Sequence, residues 1–147
     1  MSGPAILLVE DSPADVALAQ RALKKHGVTQ PLVVARDGAE ALDYLFAQGE
    51  FAGRNPRDLP RVVLLDLNLP KVGGIEVLRR IRSHEGTRLL PVVVLTSSQQ
   101  EQDLLACYTE GVNSYVTKPV DYAEFSEALG QLSRYWLSLN RCATSTD

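Results

Sequence analysis

Five short apolar runs, none interrupted by a charge, set the tightest limit on what this chain can fold into. They are Ala5-Ile-Leu-Leu-Val9, Leu32-Val-Val-Ala35, Val62-Val-Leu-Leu65 (or a register one residue away), Pro91-Val-Val-Val-Leu95 and the weaker Ser114-Tyr-Val-Thr117. A strand with one wet face alternates apolar and polar residues. A strand that is apolar at every position needs cover on both faces, which is the condition of a parallel sheet between two helical layers.

The segments between the runs have helical spacing. Ser12 and Pro13 read as cap and first turn of a helix, with Asp15 answering the cap. Val16, Ala19, Ala22 and Leu23 then share one face, and Gly27 ends it. Asp37-Gly-Ala-Glu40 is a second capping pattern, followed by Ala41, Leu42, Leu45 and Phe46. Residues 74–83 carry Ile75, Val77, Leu78 and Ile81 on a third helix. Residues 99–110 form a fourth, with Gly111 as its stop, and Asp121 caps a fifth bearing Phe125, Ala128, Leu129, Leu132 and Trp136. Five strand–helix units joined by right-handed crossovers predict an α/β fold: a doubly wound, flavodoxin-like, five-stranded parallel sheet. The expected strand order is 2-1-3-4-5, with helices on both faces.

At 147 residues the chain fits one domain. Its core is expected over about 4–139, with a loose polar tail over 140–147 and an exposed insertion over 48–60. A formal net charge of −3 and the lack of a long basic run argue against a nucleic-acid surface. No apolar stretch approaches the ~20 residues of a membrane span, and the N-terminus lacks the basic region of a signal peptide. Cys107 and Cys142 have no metal or redox spacing and fit a reducing cytoplasm. His26 and His84 read as surface residues near helix ends.

In such a sheet ligands bind outside the carboxyl ends of the strands. Glu10 and Asp11 follow the first run, Asp66 the third, Thr96 the fourth, and Lys118-Pro119 the fifth. Each acid alone is an ordinary strand-end or helix-entry charge, and Thr96 alone is an ordinary cap. Together they bring three carboxylates, a hydroxyl and an ammonium to one patch. Two carboxylates at ~5 Å repel by about 3 kcal/mol at an effective dielectric of ~20. Protonation of one acid relieves that repulsion, or a bound hard cation such as Mg²⁺, to which Asn68 can add its main-chain carbonyl. A metal, an ammonium and a hydroxyl around one carboxylate suit a phosphoryl group on Asp66.

ILLVED at 6–11, LLDLNLPKVGG at 64–74, VVLTSS at 93–98 and YVTKP at 115–119 resemble the receiver domain of two-component response regulators. The resemblance covers essentially the whole chain. It implies Asp66 as phospho-acceptor, with Glu10, Asp11, Asp66 and the Asn68 carbonyl around Mg²⁺. It also implies Lys118 and Thr96 as catalytic groups, Thr96 and Tyr115 as the switch pair, and a cis Lys118–Pro119 peptide. Glu10 stands where the commonest family pattern has aspartate. The 48–60 loop and its flanks narrow the resemblance to stand-alone regulators of bacterial phytochromes.

The function implied is a single-domain cytoplasmic response regulator. The resemblance implies that it takes a phosphoryl group from a sensor histidine kinase of the bacteriophytochrome kind and is no enzyme beyond turning over its own phosphoryl group. No DNA-binding or enzymatic output segment is expected after the fifth helix. One rival is an aspartate-nucleophile phosphatase, but that chemistry needs an acid two residues after the nucleophile, where Asn68 stands. Another is a phosphorylation-independent receiver scaffold. Tyr135-Trp136-Leu137 cannot all face inward on one helical stripe. That predicts a homodimer, or a separate partner, on the face of the fourth helix, fifth strand and fifth helix.

Overall fold

The computed structural model describes residues 4–143. Five parallel strands, β1 (Ile6–Val9), β2 (Leu32–Ala35), β3 (Val62–Leu65), β4 (Val92–Thr96) and β5 (Ser114–Thr117), lie in the order β2-β1-β3-β4-β5. The helices between and after them are α1 (Pro13–Lys25), α2 (Gly38–Phe46), α3 (Gly74–Ser83), α4 (Glu101–Thr109) and α5 (Tyr122–Arg134). Architecture and order are those expected. The boundary of β4 differs by one residue: Thr96 pairs with Thr117 and so closes the strand instead of following it.

The unbroken apolar runs resolve into two alternating sets. Leu7, Val9, Val63, Leu65, Val92 and Val94 face α2, α3 and α4, packing with Ala41, Leu45, Val77, Leu78, Ile81 and Cys107. Ile6, Leu8, Leu64, Val93 and Leu95 face α1 and α5, packing with Val16, Ala19, Leu23, Phe125 and Leu129. Each strand therefore serves two cores at once. Burying one such side chain is worth about 1.5–3 kcal/mol, and β1, β3 and β4 are buried at every position. Cys107 lies wholly inside; burial, helped by the charge of Asp103, pushes its thiol up to about 11, as expected of a packing residue.

The caps form as read. Ser12 Oγ accepts from the Asp15 N–H at 3.2 Å, Asp37 Oδ1 from Glu40 N–H at 2.7 Å, and Asp121 Oδ2 from Glu124 N–H at 3.0 Å. Two glycines fix the chain just after β3. A Cβ on Gly38 would lie 1.9 Å from the Val72 carbonyl oxygen, and one on Gly74 would lie 2.3 Å from that of Asp66. Hydrogen alone fits at both places. The β3–α3 loop is thus clamped between the start of α2 and its own strand, which holds Asp66 in place.

Three local expectations change. His26 is not a plain surface residue. Its Nε2 lies 3.3 Å from the hydroxyl of the buried Ser126 on α5, and its ring fills the space above Gly130. The insertion over 48–60 is anchored at its centre. Arg54 lies over the Tyr44 ring, 3.8 Å from its centroid, and donates to the Tyr44 and Asp58 carbonyls, while Phe51 meets Tyr44 edge-on. After α5 the helix continues as one wider turn over Tyr135–Leu139. Trp136 and Leu137 pack against the α1–α5 core there, while Tyr135 points outward. Asn140 is tied back, its carbonyl accepting from Arg61 at 3.1 Å. Of the expected tail, residues 144–147 lie outside the described residues.

Candidate functional site

Because the strands are parallel, their carboxyl ends share one edge, and four side chains that are distant in sequence meet there. Hydrogen-bonded strand pairing carries β3 one step further, with Asp66 N–H donating to Val9 C=O at 3.1 Å. The same happens at β5, where Lys118 N–H donates to Thr96 C=O at 2.7 Å. Backbone ladders therefore fix the main chain at Asp66 and at Lys118, and side-chain contacts set where the ammonium lies.

Carboxylate oxygens of Glu10, Asp11 and Asp66 lie within 4.8 Å of one another. Glu10 and Asp66 are buried and Asp11 is exposed. The Lys118 ammonium sits among the acids. It donates to Glu10 Oε1 at 2.6 Å, to Asp15 Oδ2 at 2.9 Å and to Asp66 Oδ2 at 3.4 Å. The second oxygens are also engaged. Glu10 Oε2 accepts from Ser12 N–H at 3.2 Å, and Asp66 Oδ1 from Leu67 N–H at 2.7 Å. Among the described residues Asp11 has no such partner.

One ammonium thus faces Glu10, Asp15 and Asp66, with Asp11 beside them. Burial raises the Glu10 carboxyl above the usual range, although Lys118 works to lower it; the neighbouring charge of Asp66 adds to the rise. Burial alone would lower the Lys118 ammonium. The bonds to Glu10 and Asp15 and the charge of Asp66 outweigh it and raise the group above its ordinary value.

The donor set fits a divalent cation. The atoms are all hard carboxylate oxygens, and negative charge remains in excess after Lys118 is counted. Asp11, exposed and without a partner among the described residues, and Asp66, whose contact with Lys118 is the longest at 3.4 Å, are the two acids best placed to meet a cation. Glu10 gives an oxygen to Lys118 at 2.6 Å, so its contribution is mainly its charge. Asn68 is exposed in the loop that follows Asp66.

The remaining predicted residues lie at the same edge. Thr96 is fully buried, and its hydroxyl accepts from Ser98 N–H at 3.3 Å instead of meeting Asp66. The Tyr115 ring packs against the α2–α4 core, and its hydroxyl donates to the Ser98 carbonyl at 3.1 Å. Burial raises that phenol, and the bond to Ser98 opposes the rise. Thr96 and Tyr115 are therefore linked through one residue, Ser98.

Two readings need amendment. The Lys118–Pro119 peptide is trans, not cis. The trans form is favoured by about 0.5–1 kcal/mol for an X–Pro bond, and with it Lys118 already reaches all three acids. The second concerns Asp15, which sequence reasoning assigned to the cap alone. Its main-chain N–H does serve the cap, but its carboxylate turns to Lys118. The available signal was its position in the first turn of the helix that leaves the acidic strand end.

The comparisons agree with this geometry. The family model for the response regulator receiver domain matches residues 6–130. The probable methanogenesis regulatory protein FilR2 of Methanothrix harundinacea is 46% identical over 136 residues, 92% of this chain and 85% of its own. Response regulator Rcp1 of Synechocystis is 42% identical over 132 residues, 90% of this chain and 88% of its own. The crystal structure of its Mn²⁺-bound form superposes with a TM-score of 0.87 over 95% of this chain and 98% of that one. The phosphorylated cyanobacterial phytochrome response regulator RcpA superposes with a TM-score of 0.89 at 39% identity, over 96% of this chain and 99% of that one.

A stability measurement checks the charge account. Lys118→Met should cost about 3 kcal/mol in metal-free protein at pH 8, because it leaves buried Glu10 beside Asp66 with no counter-charge. Lys118 has a raised value, so in the parent its stabilisation is complete below the unfolded lysine value and is lost only in strong alkali. In the variant Glu10 loses the partner that lowers it, and the folded form then takes up a proton more readily than the unfolded one. The deficit should therefore shrink between pH 8 and pH 5 in urea titrations. A deficit of equal size at both pH values would contradict this account.

Proposed function

The chain belongs to the response regulator receiver domain family, and on that premise we propose that Asp66 accepts a phosphoryl group from a sensor histidine kinase in a Mg²⁺-dependent reaction. The observation that carries this is the state of Asp66. It is a buried carboxylate at a strand end, with Oδ1 on Leu67 N–H at 2.7 Å, Oδ2 only 3.4 Å from Lys118, and Glu10 and Asp11 beside it.

Asp66 carries the nucleophilic oxygen. As that oxygen bonds to phosphorus, the phosphorus–nitrogen bond of the donor phosphohistidine breaks, and the imidazole leaves with the electron pair. Asp11, Asp66 and the Asn68 carbonyl, beside the charge of Glu10, would hold Mg²⁺, which would supply positive charge to neutralise the phosphoryl oxygens. Lys118 pairs with another of those oxygens, and the Thr96 hydroxyl turns from Ser98 to a third. That Rcp1 has a Mn²⁺-bound form and RcpA a phosphorylated one supports this chemistry. The chain is then a phosphoryl acceptor acting in the cytoplasm and not an enzyme with a separate substrate.

The readout follows from the Thr96–Ser98–Tyr115 linkage. Drawing the Thr96 hydroxyl toward a phosphoryl group releases Ser98 N–H and biases the loop that the Tyr115 hydroxyl holds. A bias of a few kcal/mol is enough to shift a two-state loop. Tyr115 already packs inward, so phosphorylation strengthens an existing placement instead of creating one.

The donor kinase is of the phytochrome class, a reading supported by the likeness to the phytochrome response regulator RcpA. It docks on Ala14, Ala17, Leu18 and Arg21 of α1 and on Pro119 and fully exposed Val120 after β5. The outgoing surface is α4-β5-α5, where Leu105, Tyr108 and Tyr135 are exposed. A second copy of the chain covers it in an isologous dimer.

Incubation with acetyl phosphate and Mg²⁺ should add one phosphoryl group by intact mass, and Asp66→Asn should remove that gain. Leu18→Asp should slow transfer from the kinase alone, and Thr96→Ala should accept phosphate without moving the α4 and β5 resonances. A stable phosphoryl group on Asp66→Asn at the parent rate would refute the assignment. For the dimer, light scattering at tens of micromolar should give twice the chain mass after phosphorylation; a monomer in both states would leave only a different protein as partner.

A further inference from the structure

Lys118 has three ammonium N–H donors and three carboxylate acceptors, at 2.6, 2.9 and 3.4 Å. The longest contact is to Asp66, the acid that must react. The 2.9 Å contact is to Asp15, which belongs to none of the strand ends. Helix α1 brings it there. Ser12 takes the Asp15 N–H, and Pro13 fixes the first turn, so the Asp15 carboxylate is aimed by the cap without contributing its own oxygens to it. Glu10 is fixed on the other side by Ser12 N–H. The ammonium is thus held by two acids whose positions depend on one residue, Ser12.

We propose that Asp15 is a positioning residue for Lys118: sharing the ammonium with Glu10, it keeps the Lys118–Asp66 bond the weakest of the three and leaves Asp66 Oδ2 loosely held. This rests on the acceptor role proposed above for Asp66. A carboxylate locked in a short bond to an ammonium has its negative charge neutralised and its lone pairs directed away from phosphorus. With Asp15 present, the ammonium lies near enough to meet the incoming phosphoryl oxygens yet does not occupy the nucleophile. With Asp15 absent, the third N–H turns to the nearest remaining acceptor, and that is Asp66. Asp15 suits this task because its side chain is 40% exposed, so its hold is firm enough to orient Lys118 and weak enough to release it.

Two variants test the proposal, with acetyl phosphate as donor. Asp15→Asn keeps the N–H that Ser12 caps but loses the charge; Asp15→Glu keeps the charge. In Asp15→Asn the limiting rate of phosphorylation should fall roughly fivefold, the size expected of a partly exposed charge-assisted bond, with no rise in half-saturating acetyl phosphate. Asp15→Glu should recover most of the loss. In metal-free protein the ¹⁵N resonance of the Lys118 ammonium and the ¹³C resonance of the Asp66 carboxyl should both move in Asp15→Asn. An unchanged rate overturns the proposal, as do unmoved resonances, or an Asp15→Glu protein as slow as Asp15→Asn at equal thermal stability. If the parent accepts no phosphate, the acceptor reading fails, while the metal-free resonances still decide whether Asp15 directs Lys118.

Discussion

Carboxylates crowded around a single ammonium are the constraint on which this structure turns. Glu10, Asp15 and Asp66 share Lys118, and Asp11 stands beside them without a partner of its own among the described residues. Charges of one sign at this spacing cost about 3 kcal/mol per pair at a moderate dielectric, so the arrangement persists only because the scaffold enforces it. Ladder hydrogen bonds place Asp66 and Lys118, and strands buried on both faces place the ladders. The excess charge is then available to attract a cation and to respond when a phosphoryl group changes the balance.

The rigid and the responsive parts are distinct. β1, β3 and β4 are wholly buried, and their side chains serve two cores, so movement there would disturb both at once. The β4–α4 connection is held more lightly. Ser98 receives the Tyr115 hydroxyl on its carbonyl, gives its N–H to Thr96, and shares its own hydroxyl with Asp103. Polar contacts thus join Thr96, Ser98, Asp103 and Tyr115 along this connection, outside the packed core.

Much of this was legible in sequence, for a physical reason. Runs such as Val62–Leu65 and Val92–Leu95 can only be strands with two covered faces, and parallel strands send their carboxyl ends to one edge. Glu10, Asp11, Asp66, Thr96 and Lys118 could thus be placed together from their positions after the runs. What stayed hidden depends on direction or on distance along the chain. A first-turn acid such as Asp15 looks the same whether it serves its helix or a neighbour. The contact of His26 with Ser126 joins residues a hundred positions apart and has no periodic signature. Arg54 anchors the 48–60 segment through an aromatic face and carbonyls, which composition does not reveal. Family likeness pointed to a cis bond at Lys118–Pro119, and only the backbone itself shows it trans.

If a divalent cation sits in this acidic cluster, Asp11, which has no partner among the described residues, is the acid most open to it. Calorimetric titration of Mg²⁺ into metal-free protein at neutral pH tests it most directly, with Asp11→Asn alongside. The account predicts one ion per chain for the parent, and for Asp11→Asn a loss of affinity of at least about tenfold, the equivalent of ~1.4 kcal/mol. Binding of equal strength in the two proteins, or none in the parent, would contradict it.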